Sequence, residues 1–326
     1  MNESLFIRGA RRVYHKLFGN YREYKEKKDY FGIPISDEKS GNRQIYQLLS
    51  SGKPALICRF GSTEMFTISN YFEINKFQNS TLIEKVIRKI KGESEVWRPA
   101  VKHEMEFISG FFPTTDENLK KFVEIYLEVT PDIDILGVWH NYYEDVVVKK
   151  YCPKAKLVPL RSIEPYYFEE PWSAVLKNKK VLLIHPFTDS IEKQFLNKDK
   201  LFENKNVLPD FELITIKAIQ SHANGSTHFE TWFDAMDYLK NEISKVNFDI
   251  AIIGAGTYGL PLAAFVKSIG KQAIHMGGAT QIMFGIKGTR WDSMPEINKF
   301  YNEFWTRPQP HETPKGYKKV EGGSYW

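Results

Sequence analysis

Six short apolar runs, separated by segments of helical periodicity, constrain this chain more than any other feature. The runs cover residues 53–60 (KPALICRF), 133–139 (IDILGVW), 180–184 (KVLLI), 211–216 (FELITI), 248–253 (FDIAII) and 272–276 (QAIHM). Most are close to continuously apolar, the pattern of strands buried on both faces. Helical-period segments occur at 43–50, 82–91, 117–127, 229–246 and 260–269. Strands alternating with helices predict parallel pairing through crossover helices. The expected fold is therefore α/β: a Rossmann-like, doubly wound, mostly parallel sheet with helices on both faces. An irregular insertion is expected around residues 139–172. A basic helical segment over 1–34 precedes the domain at 35–304. An irregular tail over 305–326 follows, and its Trp305, Tyr325 and Trp326 predict that it packs back on the body.

Composition narrows the function. No stretch reaches the ~18–20 consecutive apolar residues of a membrane span, and the first residues lack an apolar leader core. Two cysteines, Cys58 and Cys152, exclude a disulfide framework and a cysteine-rich zinc site. The expected location is the cytoplasm. Against 40 Asp and Glu stand 45 Lys and Arg, a net charge of +5 that is too mild to predict nucleic-acid binding. The charge is unevenly placed. Arg8, Arg11, Arg12, Lys16, Arg22, Lys25, Lys27 and Lys28 meet only Glu23 and Glu26, with apolar residues interleaved. Residues 8–28 read either as a peripheral contact with an anionic membrane face or as a solvated helix docked on the body.

In an open α/β sheet, ligands sit beyond the carboxyl ends of the strands. After the first run come Arg59, Gly61, Ser62 and Glu64. They read as a helix-capping turn or as a fixed cation and a hard oxygen ligand facing a phosphorylated ligand. After the third come His185, Thr188, Asp189 and Ser190, a polar helix start. The polar stretch 220–228 reads as an exposed loop or as one folded over a ligand. After the fifth run, Gly254, Gly256, Thr257, Tyr258 and Gly259 fit G-x-G-x-x-G between a strand and a helix. A dinucleotide loop of this kind needs an acidic residue ending the next strand. That strand ends instead at His275, Met276, Gly277 and Gly278, so a phosphate of another nucleotide, or tight helix packing alone, explains the glycines. Lys287 and Arg290 add positive charge near the same edge. Metalloprotease, serine-hydrolase and P-loop motifs are absent from the sequence.

RFGSTE at 59–64, together with IIGAGTYGLPLAAFVKSIGKQAIHMGG near the end of the domain, resembles the bacterial GT-D-type glycosyltransferases. In that family the early motif reads R-F-G-D-G-E and contains a D-x-E pair associated with metal and nucleotide-sugar binding. The closing VEGGSYW is similar to proteins of capsule and O-antigen clusters. The resemblance implies a nucleotide-diphosphate sugar donor, a lipid- or protein-linked glycan acceptor at the inner membrane face, and a role in surface-polysaccharide assembly. It implies a divalent metal, Mn or Mg, at Glu64. Ser62 stands where the family has Asp, and a hydroxyl is a poorer ligand for a hard cation. The expected catalytic groups are Glu64, Asp189 and His185. Arg59, Gly61, Ser62, Thr188, Gly254, Gly256, Thr257, Tyr258, Gly278 and Lys287 are expected to bind the donor. The alternatives are a non-catalytic or non-glycosyl-transferring polysaccharide-biosynthesis protein and, third, a dinucleotide-dependent oxidoreductase.

Overall fold

Neighbouring strand residues point to opposite sides of a sheet, and here both sides are apolar. Leu56, Cys58, Leu182, Ile184, Ala251 and Ile253 are buried in one core cluster. Their neighbours Ile57, Val181, Leu183, Ile250 and Ile252 are buried in another. A sheet with two apolar faces needs helices on each. The computed structural model of the chain, which describes residues 5–18, 26–221, 227–320 and 322–326, has that arrangement.

The chain opens with α1 (Leu5–Phe18), a two-stranded antiparallel hairpin of β1 (Asp29–Tyr30) and β2 (Ile33–Pro34), and α2 (Glu38–Ser50). Strand β3 (Ala55–Arg59) leads into α3 (Ser62–Gln78), α4 (Leu82–Lys91), α5 (Pro99–Phe107) and α6 (Asp116–Val129). Next come β4 (Ile135–Val138), α7 (Glu144–Tyr151) and β5 (Lys156–Pro159). The second half holds β6 (Lys180–His185), α8 (Thr188–Phe195), β7 (Glu212–Lys217), α9 (Trp232–Ser244) and β8 (Ile250–Ile253). It ends with α10 (Gly259–Ser268), β9 (Gln272–His275), α11 (Ala279–Met283) and α12 (Pro295–Asn298).

Strands β3 to β9 form one seven-stranded sheet in the order β5-β4-β3-β9-β8-β6-β7, and every pairing is parallel. The fold is the expected doubly wound α/β sheet. Helices α3, α5, α6, α9 and α10 contribute to one core cluster, and α2, α8, α11 and the C-terminal segment to the other. From β6 the chain moves outward to β7. From the adjacent β8 it moves the other way, to β9. The ends of β6 and β8 therefore flank a crevice of the kind where open α/β sheets bind ligands.

All six predicted strands are in the sheet. The seventh, β5, falls within the segment read as an irregular insertion. It is an edge strand of four residues that starts with an exposed lysine and ends in proline, so it lacks an apolar signature. Helix α2 begins earlier than its apolar period because the Asp37 carboxylate accepts from the Ser40 N–H at 2.9 Å. The basic helical segment ends before residue 29. Tyr30 of the hairpin is buried in the core, and Ile35 bridges to Leu157. Residues 19–25 of that segment lie outside the described residues. In the C-terminal segment, Trp305 and Trp326 are buried. Among the described residues no helix is long and apolar enough to cross a membrane.

Candidate functional site

The end of β3 builds the centre of the site. Arg59 turns its guanidinium back onto the Phe60 carbonyl, donating from Nε at 3.2 Å and Nη2 at 3.1 Å. The same carbonyl accepts from Trp139 Nε1 at 2.8 Å. The guanidinium lies 4.4 Å from the centre of the Trp139 ring, within cation–π range. Among the described residues Arg59 forms no ion pair. It is a held cation beside a cavity of about 570 Å³, a size suited to a small-molecule ligand.

Gly61 follows as the N-cap of α3, and no side chain caps the helix. The reason for glycine is steric. A Cβ there would lie 1.8 Å from Glu64 Oε2, because the Glu64 carboxyl folds back over the turn. Glu64 is buried in the first turn of α3. Burial pushes its carboxyl above the ordinary glutamate value, while its own backbone N–H and the Arg59 charge pull the other way. Both Ser62 and Glu64 line the cavity.

Two histidines face the same cavity from β6 and β9. His185 Nδ1 accepts from the Phe187 N–H at 3.0 Å, which leaves the ring proton on Nε2. His275 Nδ1 lies 3.2 Å from the Ile253 carbonyl, which can only accept, so its proton is on Nδ1 and its lone pair on Nε2. Burial drives each imidazole down to about 3, and both are neutral. His185, expected among the catalytic groups, is thereby a hydrogen-bond donor through Nε2.

The glycine loop divides between the two roles considered for it. Gly254 and Gly256 line the cavity, and Gly256 takes φ +53°, a backbone region that favours glycine. Thr257 and Tyr258 point into the core instead. Thr257 Oγ1 accepts from Trp232 Nε1 at 2.9 Å, and Tyr258 stacks on the Trp232 ring at 5.0 Å. Gly259 provides packing room: a Cβ there would lie 2.0 Å from the His275 ring. Gly278 lines the cavity, whereas Lys287 sits with its Nζ 5.2 Å from the Tyr301 ring centre, outside the lining.

Asp189 and Thr188 are also outside the lining. The carboxylate of Asp189 is half exposed and pairs with His311 Nε2 at 2.5 Å. The anion position at the start of α8 is filled by the chain itself. Buried Glu312 accepts from the Asp189 and Ser190 N–H groups at 2.9 and 3.3 Å, from the Ser190 hydroxyl, and from the Gln309 N–H at 3.1 Å. Among the described residues, Asp189, His311 and Glu312 are the cluster whose ligand atoms lie close enough for a metal ion. The oxygens of Glu312 are already engaged by these donors, so the cluster reads as a clasp between α8 and the C-terminal segment.

Several lining residues carried no signal strong enough to find. Glu164 lies between two single-turn helices, at Leu160–Ile163 and Pro165–Tyr167, and burial pushes its carboxyl up to about 7. Trp139 stands just after β4. Arg290, Trp291, Tyr325 and Trp326 reach the cavity from the C-terminal part of the chain. Of these, the sequence marks Arg290 as added positive charge near this edge and the late aromatics as packing back, and nothing in the spacing of the others points to a ligand. Gln220 lines the cavity, while residues 222–226 of the polar loop lie outside the described residues.

The cavity offers two carboxyls, Glu64 and Glu164, both pushed toward the protonated form by burial. Two carboxyls do not make a dedicated metal cage, although one or two suffice for an ion that a phosphorylated ligand brings with it. The residues instead offer a cation, a neutral donor, a neutral acceptor, two carboxyls and aromatic faces. That combination suits a ligand with an anionic group and a hydroxyl-bearing ring. Comparison of the chain with protein-family models, with curated proteins and with solved structures gives no match.

Proposed function

We propose that the cavity binds a nucleoside-diphosphate sugar and that the protein transfers the sugar to a hydroxyl of a carrier-linked glycan, in bacterial surface-polysaccharide assembly at the inner membrane face. The observation that carries this reading is Arg59. It is a cation held by a backbone carbonyl and a tryptophan face, without an ion pair among the described residues, in the same cavity as a buried carboxyl. Arg59 and the backbone at Gly254 and Gly256 hold the diphosphate as it departs. Positive charge at that position favours the transition state more than the ground state. Glu64 takes the proton of the attacking hydroxyl, and its raised proton affinity suits a general base. His185 donates from Nε2 to an oxygen of the ligand. The aromatic faces of Trp291, Tyr325 and Trp326 pack against its rings. No step uses a metal.

The test is a thermal-shift and calorimetric screen with UDP, GDP, CMP and dTDP compounds, followed by Glu64→Gln. A ligand at 100 times its Kd stabilises by about 2.7 kcal/mol. Glu64→Gln is expected to lower transfer by about 100-fold or more while nucleotide affinity stays within about threefold. Absence of stabilisation by every nucleotide sugar would overturn the donor assignment. Binding without turnover in the wild type would favour a non-catalytic assembly protein, the reading to which Ser62 lends support.

A further inference from the structure

Helix α4 is well capped and has no buried residue. Its start is held by a reciprocal pair: Thr81 N–H donates to the Glu84 carboxylate at 2.8 Å, and the Glu84 N–H donates to Thr81 Oγ1. It ends on Gly92 at φ +81°. A helix of ten residues is marginal alone and normally draws its stability from packing an apolar face. The apolar side chains of α4 recur at 82, 83, 86, 87 and 90, a single helical stripe. Leu82 and Ile83 are 83% and 75% exposed, and Val86 and Ile87 are exposed beside them. Leu82, Ile83, Val86 and Ile87 of this stripe face solvent, and Ile90 is half-buried.

Its surroundings are cationic. Helix α1 packs along α4, and Arg11 donates to the Lys89 carbonyl at the C-terminal end of α4. The two helices carry eight Lys and Arg against one Glu, a larger excess than that of the whole chain. Glu93 and Glu95 neutralise Arg88 and Lys89. Lys85 and Lys91 form no ion pair among the described residues. On α1, Arg12, Val13 and Lys16 are exposed.

We infer that α1 and α4 form one docking face for an anionic lipid bilayer, with Leu82, Ile83, Val86 and Ile87 entering the headgroup region and the lysines and arginines meeting lipid phosphates. An exposed apolar stripe in an excess of cations is complementary to such a surface. This extends the membrane contact anticipated for residues 8–28 to a second helix that the sequence marked only as periodic. It does not depend on the nature of the ligand in the cavity.

The experiment is co-sedimentation of the full chain with vesicles of phosphatidylcholine alone and with added phosphatidylglycerol, at low and high salt. Two double variants are compared, Leu82→Glu/Ile83→Glu and Lys85→Glu/Lys91→Glu. Acidic residues at 82 and 83 suit the first turn of a helix, so the first variant is expected to keep the wild-type melting temperature. Each double variant is expected to bind anionic vesicles at least about tenfold more weakly, and salt is expected to weaken the wild type. Equal binding by wild type and variants, or equal binding to neutral and anionic vesicles, overturns the inference. Sedimentation velocity separates the other occupant: a wild-type dimer that Leu82→Glu/Ile83→Glu abolishes, without vesicle binding, assigns this face to a second copy of the chain.

Discussion

Replacing Glu144 by Gln tests the scaffold that carries Arg59. Glu144 opens α7 and is fully buried. Its Oε2 accepts from the Tyr30 hydroxyl at 2.6 Å and from the N–H groups of Trp139 and Asn141, each at 3.2 Å. Its Oε1 is buried without a partner among the described residues. The segment it orders is the one whose Trp139 ring supports the guanidinium. Burial pushes the carboxyl up to about 7, against the pull of these hydrogen bonds, from 4.5 for an ordinary glutamate. The folded chain therefore binds this proton more tightly than the unfolded chain. The resulting stability is complete below pH 4.5 and is lost as pH rises through about 7. The gap is worth about 3 kcal/mol.

The wild-type pH curve will not show this slope alone. Glu164, also pushed up to about 7, adds a slope of the same sign. His185 and His275 act oppositely. Neutral in the fold and driven down to about 3 from 6.5, they lose stability for the chain as pH falls from 6.5 toward 3. The observable is therefore the difference between variant and wild type in urea denaturation followed by tryptophan fluorescence. The amide keeps the size of the side chain and one acceptor, but it does not titrate. Relative to wild type, Glu144→Gln is expected to gain about 3 kcal/mol between pH 4.5 and about 8. A difference that is the same at both ends would show that Glu144 ionises normally in the fold, and the argument from burial would be wrong.

Arg59→Lys loses both bonds to the Phe60 carbonyl and the planar stack on Trp139; the Kd for a nucleoside diphosphate should rise about 10- to 100-fold by calorimetry, and an unchanged Kd would remove Arg59 from the site. Glu312→Ala leaves the Asp189 and Ser190 N–H groups and the Ser190 hydroxyl without their buried acceptor and should cost about 3 kcal/mol in denaturant unfolding. A loss below about 0.5 kcal/mol would mean water replaces the clasp. Removal of divalent metal with EDTA should leave nucleotide affinity unchanged, since in the proposed reading Arg59 and the backbone at Gly254 and Gly256 hold the diphosphate; an affinity restored only by Mn or Mg would refute that reading.

Much of the fold was legible because its signals are local. An apolar run bounded by Gly or Pro, such as the one ending at Ile253, reports a strand whatever it pairs with. The rule that ligands gather at strand ends then led to Arg59, Glu64, His185, Gly254, Gly256 and Gly278, all of which line one cavity. The same rule misplaced Asp189, Thr188, Thr257, Tyr258 and Lys287. It gives a position along the chain, but not the direction in which a side chain leaves the turn. Thr257 and Tyr258 follow a cavity glycine and turn to Trp232.

By itself, then, the sequence determined the strand-helix alternation, the two apolar faces of the sheet and the set of polar groups near its carboxyl edge. Only the tertiary structure decided the strand order, which sets β9 between β3 and β8 and so places His275 and Gly277 beside Arg59. It alone placed Glu312 at the start of α8, brought Tyr325 and Trp326 to the cavity, and left the stripe of α4 in solvent. The physical reason is range. Periodicity and capping depend on residues three or four apart, whereas the partner of a carboxylate, the wall of a cavity and the cover of a helix face come from segments more than a hundred residues away, as Glu312 does from Asp189.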